Sequence, residues 1–324
     1  MSEKLVVVLN PIMKFFDKFF PILVPAGLVF GMFLGARISE VQFLIPWIFA
    51  CVTFIGGLKM DVKAFITTIA RPKPIVTVMV ILRVLMPLWA LVFGLIAFSG
   101  DVYTQTGLIL FALAPVGINS VLWTMMAKGN VALSLSVVLL DTLISPIVLP
   151  LSVVLLTGTS IQLDTGSMMM SLLQMIVIPS ILGMLVNQFS KGEVPKRWNS
   201  KLAPISKMGI VIVIVINGST VADYFTSIDF RLLMIMSSVA FLAASGYTIA
   251  WHLTKLLKLN PDDTKAVVFS GGMRNINIGI VIATQHFPMA AAIPVVTGVL
   301  FQQLVCATFA KLLMNKFDQE VVEH

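Results

Sequence analysis

Apolar residues run along this chain in long blocks separated by short charged or turn-rich breaks, which is the pattern the roughly 30 Å hydrocarbon layer of a bilayer imposes on spanning helices. The breaks divide the chain into ten predicted spans: 19–36, 41–57, 74–98, 104–126, 130–157, 167–189, 202–218, 231–257, 264–286 and 288–314. The N-terminal stretch carries Lys14, Asp17 and Lys18 where a signal peptide's apolar region would stand, so no cleavable signal is predicted. Two spans are interrupted at mid-length by polar, helix-breaking sequence, LAPVGINSV at 113–121 and SGGMRNINIG at 270–279.

The interruptions matter because a broken helix in hydrocarbon frees backbone N–H and C=O groups, each costing several kcal/mol unless protein, ligand or water satisfies it. They fall in the fourth span of each half, 1–160 and 161–324. Each half also starts with a Pro- and Gly-containing helix (FFPILVPAGLVFGMFLG, QMIVIPSILGML), and its second helix ends near a glycine followed by a short amphipathic stretch (GGLKMDVKAF, NGSTVADYF). Five spans per half invert the second copy relative to the first. Paired broken helices in an inverted repeat point to a secondary transporter's binding site.

Composition agrees. Of 324 residues, 58% are hydrophobic and only 11% charged, and the mean hydropathy is +1.00, which excludes a soluble globule. Eighteen of the 22 Lys and Arg residues fall on the side holding both termini, and only Arg37 and Arg231 on the other, which predicts a multi-pass plasma-membrane protein with both termini cytoplasmic. The net charge of +7 then reports topology and not a nucleic-acid partner. Two cysteines, both in apolar runs, give no redox or metal framework, and no cofactor is predicted. HExxH, GxSxG and P-loop signatures are lacking, so neither an enzyme nor an ATP-driven pump is predicted.

Three charges stand inside spans: Arg83, Asp141 and Arg274. Such groups normally face a partner or a water-filled cavity. Arg83 and Asp141 can form a buried pair that locks two helices, which leaves Arg274 as one positive charge without a protein counter-ion, suited to the carboxylate of a monoanionic substrate through its planar fork. Asn119, Ser120, Gly271, Gly272, Asn275 and Asn277 lie in or beside the breaks as further substrate-binding candidates, with Ser134 and Ser270 in a charge or ion-coupling network. The same polar groups could also line a passive pore.

Through FIGGLKMDVKAF followed by RPKP, MAKGNVALSLSVVLLDTLISPIVLP and SGGMRNINIG, the sequence resembles the bile acid:sodium symporter family across essentially its whole length. The resemblance implies an all-α membrane protein: spans 1, 2, 6 and 7 as a panel, spans 3–5 and 8–10 as a core, and broken helices 4 and 9 crossing at its centre. It implies carriage of organic anions, usually with sodium. Several sodium-site positions of the family differ here. Ser270 replaces a glutamate, Arg274 and Leu82 replace glutamines, Val138 replaces a threonine, and the family's Ser-Asn pair reads Ser120-Val121. Ser120 and Ser134 remain as residual sodium ligands. The departures predict a carrier that is sodium-independent, an exchanger, or proton-coupled through Asp141, since a guanidinium offers only donors where sodium requires oxygen. The alternatives are an ordinary sodium symporter with a rearranged ion site, a passive channel, or a sensor without transport.

Overall fold

The computed structural model describes residues 22–60, 72–158, 164–225 and 229–322. The N-terminal Lys4, Lys14 and Lys18, and the amphipathic stretch after the second span with Lys63 and Arg71, lie outside them. The described residues form twelve α-helices: α1 (Ile22–Leu34), α2 (Ile45–Gly57), α3 (Pro72–Ala97), α4 (Val102–Leu113), α5 (Asn119–Met126), α6 (Val131–Thr157), α7 (Thr165–Phe189), α8 (Glu193–Thr220), α9 (Phe230–Leu256), α10 (Pro261–Gly272), α11 (Ile276–His286) and α12 (Met289–Val322). Seven helical stretches among them are long and apolar enough to cross a membrane.

Two stretches differ from single spans, and they are the two the polar interruptions mark. The segment expected at 104–126 is α4 and α5 separated by Ala114–Ile118, and that expected at 264–286 is α10 and α11 separated by Met273–Asn275. Pro115 and the Gly271-Gly272 pair account for the stops. A proline supplies no N–H for the next helical bond, and glycine weakens a helix interior. Two other boundaries lie further out than hydropathy suggests. Helix α8 starts at Glu193 rather than near 202, and α12 runs to Val322 rather than 314. Hydropathy detects only the part of a helix that matches hydrocarbon, and both helices continue into polar sequence.

The chain divides into two compact units, and their described residues fall within Met1–Lys63 with Gly166–Ser227 and within Ala64–Thr165 with Ile228–His324. In the first, α2 and α7 approach to backbone contact: a Cβ on Gly57 would stand 2.4 Å from the Ser180 carbonyl oxygen, so no larger residue fits without separating the helices. Thr53 on α2 also donates to the Met175 carbonyl of α7 at 2.8 Å. The second unit holds α3–α6 and α9–α12, and every helix start from α4 to α11 there with a side-chain cap uses Asp101, Asn130, Asp229, Asn260 or Asn275.

Two π-helical turns, Ile81–Leu85 in α3 and Leu173–Val177 in α7, each end one residue before a Met-Pro or Ile-Pro pair. The cause is steric: the ring of Pro87 would clash with the carbonyl four residues back, that of Arg83, and a wider turn makes room. The same turn carries Arg83 into the second unit's interior.

Candidate functional site at the crossing of two broken helices

In the second unit the two breaks pair with each other. Val116 and Arg274 form an isolated antiparallel bridge, the Asn275 amide donates to the Pro115 carbonyl at 2.6 Å, and the Gly117 amide donates to Met273 at 3.4 Å. Backbone groups freed by one break are thus partly satisfied by the other, which is how irregular chain survives at membrane depth.

Several of the other freed groups are met by the three charges singled out in the sequence. Asp141 on α6, fully buried, accepts from the Val116 amide at 2.8 Å with one oxygen and from Arg83 Nε at 2.7 Å with the other. Arg83 Nη2 lies 2.6 Å from that second oxygen and donates to the Ser145 hydroxyl at 2.7 Å, while Nη1 donates to the Leu113 carbonyl at 2.9 Å. The pair therefore closes the end of α4 as well as joining α3 to α6. Both Asp141 oxygens are engaged.

Arg274 is 3% exposed and meets no carboxylate among the described residues. Its Nε donates to the Ala112 carbonyl at 2.9 Å and its Nη1 to the Gly271 carbonyl at 2.8 Å. These oxygens belong to the last turns of α4 and α10, the ends where helix dipoles place partial negative charge. The guanidinium is already two-pronged, but toward two backbone carbonyls, so of its five N–H donors the two on Nη2 and one on Nη1 are left for a carboxylate. The reason is local: breaking two helices leaves orphan carbonyls that a residue-type reading of Arg274 does not count.

Gln302 on α12 completes the closure and is absent from the sequence-derived candidates. Its amide oxygen accepts from the Arg274 backbone N–H at 2.9 Å and its amide nitrogen donates to the Arg274 carbonyl at 2.8 Å. The signal was a glutamine inside an apolar run, FQQLV, which does not distinguish it from Gln303.

Ser120, Ser134 and Ser270 converge from α5, α6 and α10. All three are fully buried, with hydroxyls 3.5 Å (Ser120 to Ser134) and 3.1 Å (Ser134 to Ser270) apart. Other hydroxyls of the same unit, such as Thr124, Ser145 and Thr297, bond a carbonyl of their own preceding turn. These three bond one another. Asn119, Asn275 and Asn277, half-buried, stand in the first turns of α5 and α11, where unpaired N–H groups carry partial positive charge. Asn275 caps α11 through Ile278 N at 3.4 Å. Gly272 lies under the Tyr247 ring, with space for no Cβ.

The arrangement has two sides: helix C-termini closed by fixed cations, and helix N-termini with amide side chains left accessible. Comparison with known proteins agrees with a transport role. A family model described as the Sodium Bile acid symporter family matches residues 47–228. "Uncharacterized protein YbaS" of Bacillus subtilis (strain 168) is 42% identical over 92% of this chain and 97% of its own length. "Uncharacterized sodium-dependent transporter YocS" of the same organism is 31% identical over 78% of this chain and 79% of its own. "Probable sodium/metabolite cotransporter BASS1, chloroplastic" of Oryza sativa subsp. japonica is 28% identical over 72% and 57%. This chain is a multi-pass membrane protein belonging to the Sodium Bile acid symporter family of transporters.

Proposed function

We propose that the protein is a secondary transporter of organic anions, small or amphipathic carboxylates, working by alternating access without sodium. The observation that carries this reading is the Arg274 guanidinium on the carbonyls of Ala112 and Gly271. Carbonyls at broken-helix C-termini are the groups a coupling cation would seek. A covalently attached cation takes that place, and its permanent charge repels a second one. Because Arg83 and Asp141 neutralise each other, the site keeps one positive charge, which a monoanion balances. The substrate's carboxylate would meet Nη2 of Arg274 and the donors at the starts of α5 and α11, with Asn119, Asn275 and Asn277.

In this reading the chain has ten transmembrane helices in two inverted five-helix repeats, 1–160 and 161–324. Spans 1, 2, 6 and 7 serve as panel and spans 3–5 and 8–10 as core, in the plasma membrane with both termini cytoplasmic. The proposed protein is a carrier and not an enzyme, and it needs no cofactor.

A second reading, a sodium-coupled symporter with a rearranged ion site, is favoured by the convergence of Ser120, Ser134 and Ser270, three oxygens with no backbone acceptor of their own turn. Uptake of a panel of small carboxylates and bile salts into proteoliposomes, with choline replacing sodium, separates the two. Unchanged, saturable uptake is expected. Uptake abolished by choline would overturn the sodium-free reading and leave the serine cluster as the ion site.

A further inference from the structure

Helix α8 continues past the hydrocarbon at its N-terminal end. Its apolar part, Lys201–Thr220, is 20 residues, about 30 Å at 1.5 Å per residue, which matches one hydrocarbon thickness. Along it Trp198, Ile205 and Ile212 repeat every seven residues, with Lys201 and Met208 between them on the same face. Trp198 is 43% exposed, Ile205 55%, Met208 48% and Ile212 45%. The opposite face, with Ala203, Val213, Ile214 and Asn217, is buried. The exposed stripe therefore faces lipid. Trp198 and Lys201 stand where it leaves the hydrocarbon.

At that level Lys201 Nζ lies over the Trp198 ring, 5.0 Å from its centroid. Arg197 is exposed beside it, Lys196 is exposed on the other side of the helix, half a turn round from Ile205, and Lys191 stands just before the helix. Glu193, 3.5 Å from Lys196, is the one acidic residue in the segment 190–207. The second unit repeats the device at the polar end of α9. There Met234, Phe241, Thr248 and Lys255 form an exposed stripe at seven-residue spacing, and Lys255 Nζ lies 5.0 Å from the Trp251 ring centroid.

We infer that Trp198, Lys201 and Arg197 form a binding site for the headgroup of an anionic phospholipid, whose acyl chain lies along Ile205, Met208 and Ile212. The ligand must be amphipathic, because the basic cluster and the apolar stripe are continuous on one helix face. The charge must be negative, because basic residues outnumber acidic ones at headgroup level, where each contributes electrostatic attraction to an anionic surface. The tryptophan's amphipathic ring fixes the depth, and stacking holds the Lys201 ammonium toward the lipid side of the helix.

The test is native mass spectrometry of the full chain in detergent with equal amounts of dioleoylphosphatidylglycerol and dioleoylphosphatidylcholine, paired with thermal unfolding in each lipid and in glycerol phosphate. The wild type should retain phosphatidylglycerol preferentially. The Arg197→Gln/Lys201→Gln variant should retain one fewer, its affinity falling roughly fivefold for each basic residue removed. Lys201→Arg should keep the preference, and thermal stability in phosphatidylcholine should not change, which shows that the variants fold. Equal retention of the two lipids by the wild type, an unchanged count in the double variant, or equal stabilisation by glycerol phosphate would overturn the site.

Discussion

The buried Arg83–Asp141 pair makes a prediction whose sign is unusual. Asp141→Asn keeps an oxygen for the Val116 amide but strands the Arg83 guanidinium, whose side chain is 7% exposed. Breaking one partner of a buried pair is worth about 3–5 kcal/mol. Arg83→Met strands the Asp141 carboxylate by a similar amount and also leaves the Leu113 carbonyl unpaired, about 1–3 kcal/mol more. The double variant strands no charge. It loses mainly the bond to Leu113 and should be destabilised by only about 1–3 kcal/mol, so that adding the second substitution restores stability. At roughly 2 °C per kcal/mol the double variant should unfold about 4 °C above Asp141→Asn. Thermal unfolding of the four purified proteins closes the cycle. A double variant as unstable as the sum of the singles would show that the pair is not the unit described here, and that Asp141 is held by something other than Arg83.

Two further outcomes follow from other contacts. A Cβ at Gly272 would stand 2.3–2.5 Å from three ring atoms of Tyr247, which is fully buried and stacked on Phe309, so Gly272→Ala should cost about 1–3 kcal/mol; Tyr247→Leu in that background should recover part of it in the same unfolding assay, and no recovery would reject the contact. At the start of α4, burial pushes the Asp101 carboxyl upward, but bonds from Thr104 and Arg231 outweigh it and hold it below its ordinary value. A depressed value stabilises the fold above the unfolded-state pKa and is lost as pH falls through the folded one. Asp101→Asn, which keeps the cap, should therefore cost about 0.2–1 kcal/mol at pH 7, a cost that shrinks as pH falls below the ordinary carboxylate value. A gap in unfolding temperature that does not narrow as pH is lowered would contradict this.

Much of the site was legible in the sequence because hydrocarbon makes polar residues conspicuous. Pro115 and Gly271-Gly272 marked the breaks, and Arg83, Asp141 and Arg274 stood out among apolar neighbours. The pairing of Arg83 with Asp141 was one of two readings available from charge alone, and geometry selects it. What residue types could not show was the backbone. The partners of Arg274 are carbonyls of Ala112 and Gly271, which exist as acceptors only because two helices stop there. Gln302 answers the Arg274 backbone in the same way, and so carried no sequence signal stronger than that of its neighbour. The π turn that carries Arg83 was implicit in Pro87, but its effect on side-chain direction depends on the geometry of a turn and not on hydropathy.

The bond from Arg274 to Ala112 joins residues 162 positions apart, so it concerns synthesis as well as the finished protein. When the chain is made from its N-terminus, α4 reaches the membrane long before the segment that closes it. Until α10 and α11 follow, the Ala112 and Pro115 carbonyls have neither helix nor partner. Closure of the broken end of α4 should therefore be timed by the synthesis of residue 274, late in the chain.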